Sequence, residues 1–514
     1  MPTLRRCLRL ALTAAALVIA LPLTGCVTAF LPTAESARST PVAETVAANL
    51  EPFYSQRLNW RSCVGGKFQC TTAKAPMDWA NPATQSIRLA LIRSVTTGTK
   101  RGSLLVNPGG PGGSGYNFVA DSLDYAVDEK VRANFDIVGF DPRGVNRSSA
   151  VKCYTNPNSM DAFLFTLSPH PVGTDAWIEY QRASNAQFAA ACLKHTGALL
   201  QFVDTVSAAR DLDLLRAILG DSKLNYLGYS YGTLLGATYA DLYPTKTGHL
   251  VLDGALDPAT TSFDVSKTQA TGFEKSLRTY VSDCLTGTKC PFTGTADAAM
   301  ISIRELLTSL DASPLKAKDG RYLGSATMSN AIILPLYNKN DWSNLSELFA
   351  SVMLGKADYA LQLADIYYSR DADGAYSDNS TESFIAINCL DYQSPVSTNA
   401  QLRADAAAIS AVAPVLGPQL SFDTSCDSWP FKSTRNRVPI VAESSGPIMV
   451  VGTTGDPATP YVWAQNLASQ LRNGHLVTYR GEGHTAYNKS NSCVNRAVDN
   501  YLINGTVPSK DPNC

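Results

Sequence analysis

The feature that most constrains this chain is the pentapeptide Gly228-Tyr229-Ser230-Tyr231-Gly232, set between an apolar run, Lys223–Leu227, and a second apolar segment, Thr233–Leu242. A serine flanked by glycines at such a junction reads as a sharp turn from strand to helix. Glycines flank it because the turn needs close backbone approach, and the helix that follows aims its positive end at charge developing near the serine. Alone, Gly-x-Ser-x-Gly is a weak signal in a chain with 35 glycines. Its context makes Ser230 the candidate nucleophile.

A hydroxyl is a poor nucleophile at neutral pH and needs a base. Of the five histidines, His170 sits in a Pro-rich loop, His195 beside Cys192, and His249 and His475 at strand starts. His484 differs, because Gly481-Glu482-Gly483-His484-Thr485 directly follows the predicted strand His475–Tyr479. A loop at the carboxyl edge of a sheet reaches Ser230, so His484 is the candidate general base. The strand Gly446–Gly452 runs into Thr453-Thr454-Gly455-Asp456-Pro457, and Asp456 precedes His484 by 28 residues, room for one helix and one strand. An Asx-turn ahead of Pro457 would explain Asp456 locally but not its pairing with His484. The order Ser, Asp, His is that of the α/β-hydrolase triad.

Asn107-Pro108-Gly109-Gly110-Pro111-Gly112-Gly113-Ser114-Gly115 closes the predicted strand Ser103–Asn107. Its peptide N–H groups can approach a substrate oxygen unhindered, and those of Gly110 and Tyr231 are the candidate oxyanion hole. Phosphate binding is disfavoured, since the Lys-Ser/Thr end of a P-loop is missing. Asp141-Pro142-Arg143-Gly144, after the strand Phe135–Phe140, is expected to form a buried Asp–Arg pair bracing these loops.

Further strands are predicted at Ser86–Arg93, Lys223–Gly228 and His249–Leu252, alternating with helical segments. The clearest helix has Ser207 as N-cap, Ala208, Leu212, Leu215 and Leu219 at helical spacing, and Gly220 at its end. From about residue 256 helical patterns dominate, at Asp264–Cys284, Ala296–Leu310, Asp341–Lys356, Thr381–Asp391 and Ala400–Val412, before strand signals resume. The expected fold class is α/β, an α/β-hydrolase fold: a mostly parallel central sheet with helices on both faces and a large helical cap inserted before the acid and histidine. Residues 53–255 and 440–514 form the core and 256–439 the cap, with 1–26 a signal peptide and 27–52 a flexible tether.

Arg5, Arg6 and Arg9, the apolar run Leu10–Leu21 and Leu23-Thr24-Gly25-Cys26 read as an export signal ending in a bacterial lipobox, with Cys26 the lipidated mature N-terminus. A plain secretory signal or an uncleaved anchor is the alternative. Ten of the 12 cysteines lie beyond Cys26, an even set suited to disulfides in an oxidising compartment. Pairing neighbours gives 63–70, 153–192, 284–290, 389–426 and 493–514, other connectivities remaining open. With no CxxC pair and scattered histidines, no metal or cofactor is expected. The net charge of −1 becomes about −4 without the leader, which favours neither nucleic acid nor a polybasic membrane surface as partner.

With these pieces placed, the chain resembles the actinobacterial tripeptidyl-aminopeptidase group of exported α/β-hydrolases, related to proline iminopeptidases. The resemblance rests on Asn107–Gly115, Asp141–Gly144, Gly228–Gly232, Leu252-Asp253-Gly254, the Gly452–Pro460 loop and Gly481–His484. It implies removal of short peptides, often tripeptides, from the free N-termini of peptide or protein substrates. Such an enzyme needs an acid for the substrate α-ammonium; Asp391, beside Cys389, is the candidate, the alternative being a solvated helix-end aspartate. An esterase or lipase of the same fold, or a non-catalytic binding lipoprotein, are the rival readings.

Overall fold

The computed structural model describes residues 37–514 apart from Ser394 and Thr434. The expected signal peptide, Cys26 and the start of the tether lie outside the described residues.

Among the described residues eleven strands are formed: β1 (Arg61–Cys63), β2 (Phe68–Pro76), β3 (Ser86–Ser94), β4 (Ser103–Asn107), β5 (Asp136–Phe140), β6 (Leu224–Tyr229), β7 (Thr247–Asp253), β8 (Leu315–Lys316), β9 (Tyr322–Leu323), β10 (Ile448–Gly455) and β11 (Gly474–Glu482). Nine make one sheet in the order β1-β2-β3-β5-β4-β6-β7-β10-β11, while β8 and β9 form a separate ribbon. From β5 to β11 every neighbour is parallel, and β1, β2 and β3 add an antiparallel margin. The sequences Ser-Leu-Leu-Val-Asn of β4 and Asp-Ile-Val-Gly-Phe of β5 are buried at every position, because helices cover both faces of a parallel sheet. β1 and β2 were not foreseen: β1 is three residues long, and Thr71, Thr72 and Lys74 of β2 break an apolar pattern.

The helix Thr205–Leu219 buries Leu212, Leu214, Leu215 and Ile218, each contributing roughly 1.5–3 kcal/mol by leaving water. It starts earlier than expected. Asp204, not Ser207, is the N-cap and accepts the Ser207 N–H at 2.9 Å; Gly220 ends the helix in the left-handed conformation, as its spacing predicts.

Residues 37–52, expected as tether, are laid on the core instead. Ser39 Oγ accepts the Leu58 N–H at 2.8 Å, the Val42 N–H donates to the Ala217 carbonyl at 2.9 Å, and Glu44 pairs with Arg216 at 2.5 Å and Lys246 at 2.9 Å. Arg216 is fully buried and is paired with both Glu44 and Asp213, a link invisible in a segment without apolar periodicity.

Between β7 and β10 the chain is mainly helical, including Ser262–Cys284, Ala296–Ala312, Ser325–Leu336, Trp342–Met353, Asp358–Tyr367, Ser380–Asp391 and Asn399–Val412. Ser325–Leu336 and Asp358–Tyr367 are additional to the helices read from sequence. This segment carries its own apolar cluster around Leu277, Ile303, Ile332, Leu345 and Phe349. Disulfides join Cys63–Cys70, Cys153–Cys192, Cys284–Cys290, Cys389–Cys426 and Cys493–Cys514. Among the described residues no helix is long and apolar enough to cross a membrane.

Candidate active site

Five chain segments leave the carboxyl ends of parallel strands and converge. Ser230 follows β6, and its φ of 56° and ψ of −125° put a non-glycine residue in strained backbone, at a cost of about 1–3 kcal/mol. Two backbone bonds hold it there: its N–H donates to the Asp253 carbonyl at 2.9 Å, and its carbonyl accepts the Thr233 N–H at 2.8 Å. A Cβ on Gly232 would stand 2.9 Å from Asn107 Oδ1, so the turn closes only with glycine at that position.

His484 follows β11, and its Nδ1 lies 2.9 Å from both oxygens of Asp456. The Asp456 carboxylate also accepts the N–H groups of Ala458 at 3.0 Å, Thr459 at 2.8 Å and Thr485 at 3.1 Å, and the Thr459 hydroxyl at 3.0 Å. Its side chain is fully buried, while that of His484 keeps 11% of its surface exposed. Donation to Asp456 fixes the tautomer with Nε2 free to take a proton. Among the described residues the Ser230 hydroxyl has no hydrogen-bond partner; contact between nucleophile and base often tightens only when substrate is bound.

Asp253, at the end of β7, joins these two halves. Its carboxylate accepts the Ala486 N–H at 3.0 Å and the Tyr487 N–H at 2.8 Å, and burial pushes its carboxyl pKa up. Lys489 donates to Thr485 Oγ1 at 2.6 Å and lies against the rings of Tyr125 and Tyr229 at 4.6 and 4.7 Å. Burial lowers the pKa of this ammonium to about 8 despite the nearby charges of Asp253 and Asp456. Asp253 lies in the Leu252-Asp253-Gly254 motif of the resemblance, to which sequence attached no role, and Lys489 lies in no motif.

The glycine loop is pressed onto the serine turn. A Cβ on Gly109 would lie 2.8 Å from Ser230 Cβ and 3.0 Å from the Tyr231 nitrogen. Gly110, Ser230 and Tyr231 border one cavity of about 360 Å³. The expected Asp141–Arg143 pair does not form. Asp141 instead accepts the Ser114 hydroxyl at 2.5 Å and the N–H groups of Tyr116 and Arg147 at 3.2 and 3.1 Å, securing the end of the glycine loop. Arg143 forks onto Asp211 at 2.6 and 2.7 Å and donates to the carbonyls of Pro76, Met77 and Phe202. A guanidinium with five donors needs more acceptors than one aspartate two residues away supplies.

Asp391 is not at the cavity, nor is it solvated. It is 1% exposed and accepts the Thr205 N–H at 2.9 Å and hydroxyl at 2.5 Å, which binds the helix Ser380–Asp391 to the start of Thr205–Leu219. Burial raises its pKa to about 6. From the helical segment the cavity is lined by Phe384, Ile385, Asn388, Leu420 and Asp423. A separate cavity of about 470 Å³ behind the acid loop, lined by Lys267, Lys275 and Glu482, includes neither Ser230 nor the glycine loop.

Residues 413–514 match the family model described as TAP-like protein. Over 484 residues the chain is 34% identical to the serine protease Hip1 of Mycobacterium tuberculosis, an alignment covering 90% of this chain and 92% of that protein. The chain belongs to the tripeptidyl-aminopeptidase-like family of α/β-hydrolases. Within this family it is also 30% identical over 478 residues to the tripeptidyl aminopeptidase of Streptomyces lividans, covering 89% of this chain and 86% of that one. It is 35% identical over 454 residues to the M. tuberculosis protein named carboxylesterase B, covering 87% and 86%. Family membership makes the protein a serine hydrolase.

Proposed function

We propose that the protein is an exported serine exopeptidase that releases short peptides, chiefly tripeptides, from free N-termini through an acyl-enzyme on Ser230. The observation that carries this reading is the Asp456 carboxylate held 2.9 Å from His484 Nδ1 on the sheet edge that bears the strained Ser230 turn. In this mechanism His484 Nε2 takes the Ser230 proton as Oγ attacks the scissile carbonyl. The N–H groups of Gly110 and Tyr231 hold the oxyanion. His484 then protonates the leaving amine, and a water activated by the same imidazole resolves the acyl-enzyme. In this reading residues 256–439 act as a cap over the core segments 53–255 and 440–514. A cavity of about 360 Å³ under Phe384, Ile385 and Leu420 suits a few residues rather than a folded chain.

Export is supported by five disulfides, which persist in oxidising compartments, and by the leader ending at Cys26. Lipidated Cys26 would tether the enzyme to the outer face of the cell membrane or cell wall. Mass spectrometry of the mature N-terminus tests this, and an unmodified start elsewhere sinks it.

The esterase reading is favoured by one observation, the relative named carboxylesterase B. A matched panel separates the two: free-amine mono-, di- and tripeptidyl fluorogenic amides, an N-blocked tripeptide and a short-chain ester, with wild type and Ser230→Ala. Cleavage of the free-amine tripeptide that vanishes on blocking and in the variant supports the exopeptidase. Ester turnover alone assigns an esterase, and no turnover at all reopens a binding role.

A further inference from the structure

The turn after His484 is held in a conformation that its own residues disfavour. Thr485 is buried and has a φ of 66°, and a β-branched residue in the left-handed region is strained. In that geometry its N–H reaches Asp456 Oδ2 at 3.1 Å, and its hydroxyl donates to the His484 carbonyl at 2.5 Å. Thr485 therefore touches both the acid and the base, and whatever fixes it fixes their pairing. Gly254 leaves room for it: a Cβ there would stand 2.8 Å from Thr485 Cγ2 and 3.2 Å from His484 Cε1.

The group that grips Thr485 is the ammonium of Lys489, which donates to Thr485 Oγ1 at 2.6 Å and lies against the rings of Tyr125 and Tyr229 at 4.6 and 4.7 Å. Tyr229 is the residue before Ser230, and Tyr125 belongs to the helix Gly115–Ala126, which begins where the glycine loop ends. The Tyr229 hydroxyl donates to the Ala126 carbonyl at 2.6 Å, and the Asn488 amide donates to the carbonyls of Asp124 and Tyr125 at 2.7 and 3.1 Å. One cation thus sits where the serine turn, the glycine-loop helix and the histidine loop meet. Among the described residues no carboxylate forms an ion pair with it. The groups facing it are the two rings, Thr485 and, at longer range, the charges of Asp253 and Asp456.

Resting on Ser230, Asp456 and His484 as the reacting triad, we propose that Lys489 is a positioning residue whose ammonium pins Thr485, and through it the Asp456–His484 pair, in register with Ser230. The charge carries the effect: a cation is drawn to aromatic faces, and its hydrogen bond to a hydroxyl is stronger than that of a neutral amine. Loss of the proton loosens both contacts. Burial lowers the pKa of this ammonium to about 8, so the reactivity of Ser230 falls as pH rises through that value. The other groups at the junction do not produce such a loss. A general base acts unprotonated and only gains with rising pH, and burial pushes the phenols of Tyr125 and Tyr229 upward.

The test is the second-order rate at which a fluorophosphonate without titratable groups labels Ser230, so that neither a substrate amine nor peptide specificity enters. It is measured from about pH 6.5 to about pH 10 in wild type, Lys489→Met, Lys489→Arg, Thr485→Val and the double variant Lys489→Met/Thr485→Val, per site labelled at completion so that misfolded protein drops out. Wild type is expected to slow at least about 5-fold between pH 7 and pH 9.5. Lys489→Met should be at least about 10-fold slower than wild type at pH 7 and should lack the alkaline loss. Lys489→Arg, which stays charged, should recover part of the rate and keep it above pH 9. Thr485→Val should match Lys489→Met, with the double variant no slower than either. A wild type without alkaline loss, a Lys489→Met protein as fast as wild type, or losses that add in the double variant would each overturn the proposal. Should Lys489→Met not fold, the wild-type profile and Lys489→Arg decide. A wild type that labels no better than Ser230→Ala removes the triad reading and this proposal with it.

Discussion

The Tyr337 carbonyl accepts the His484 N–H at 2.8 Å, and the Tyr337 ring stands edge-on to the imidazole with centroids 5.2 Å apart. Tyr337 directly follows the helix Ser325–Leu336, so the helical segment between β7 and β10 helps seat the candidate base. Tyr337→Ala keeps the backbone bond and removes the ring; kcat/KM is expected to fall about 10-fold or more as the imidazole gains freedom. Tyr337→Phe retains the contact and should stay within about 3-fold of wild type. Equal losses in the two variants would assign the effect to the hydroxyl instead.

Thr459 touches both members of the acid–base pair: its hydroxyl donates to Asp456 Oδ2 at 3.0 Å and lies 3.3 Å from His484 Nδ1. Thr459→Val preserves shape and deletes the donor, costing about 1 kcal/mol of transition-state stabilisation, a 3- to 10-fold loss in kcat/KM. Thr459→Ser should recover most of it. Steady-state kinetics on the three proteins decides the matter.

Burial raises the Asp391 pKa from an ordinary 3.8 to about 6. The folded state therefore holds this proton more tightly than the unfolded chain does. Its contribution to stability is complete below about pH 4 and is lost as pH rises through about 6. Between those limits wild type should lose stability relative to Asp391→Asn, by on the order of 3 kcal/mol. Denaturant unfolding of both proteins from pH 4 to pH 7 gives the slope directly, and parallel curves would contradict it.

Lys489 titrates in the opposite sense. Its pKa falls from 10.5 to about 8, so above pH 8 the unfolded chain binds more protons than the folded one, and stability gains as pH rises toward 10.5. Relative to Lys489→Met, wild type should gain on the order of 1 kcal/mol between pH 8 and pH 10, a figure reduced for partial solvent contact. Thermal unfolding across that range checks the sign.

Much of the candidate site was legible because its parts are local. Ser230, Asp456 and His484 each directly follow a stretch whose apolar run marks a buried parallel strand, and β4, β6, β7, β10 and β11 lie within a few residues of their predicted positions. The glycine loop is read the same way, from the strand it terminates. The surroundings of Asp391 are not legible, for the converse reason. Its neighbours in sequence, Cys389 and Leu390, reveal nothing of Thr205, whose N–H and hydroxyl it accepts across 186 positions of chain. Arg143 likewise has an aspartate two residues away, yet its partner Asp211 is 68 residues away.

Local patterns carry the α/β order, the strained serine turn and the chain order of Ser230, Asp456 and His484, because strand burial and turn chemistry act over a few residues. The tertiary structure alone decided that residues 37–52 dock on the core, that Tyr337 meets His484, that Asp391 is buried and that Asp423 faces the cavity of Ser230. The last three of those outcomes join residues of the segment between β7 and β10 to residues elsewhere in the chain. Contacts between side chains so far apart in the chain follow from packing and charge compensation in three dimensions, which no local pattern encodes.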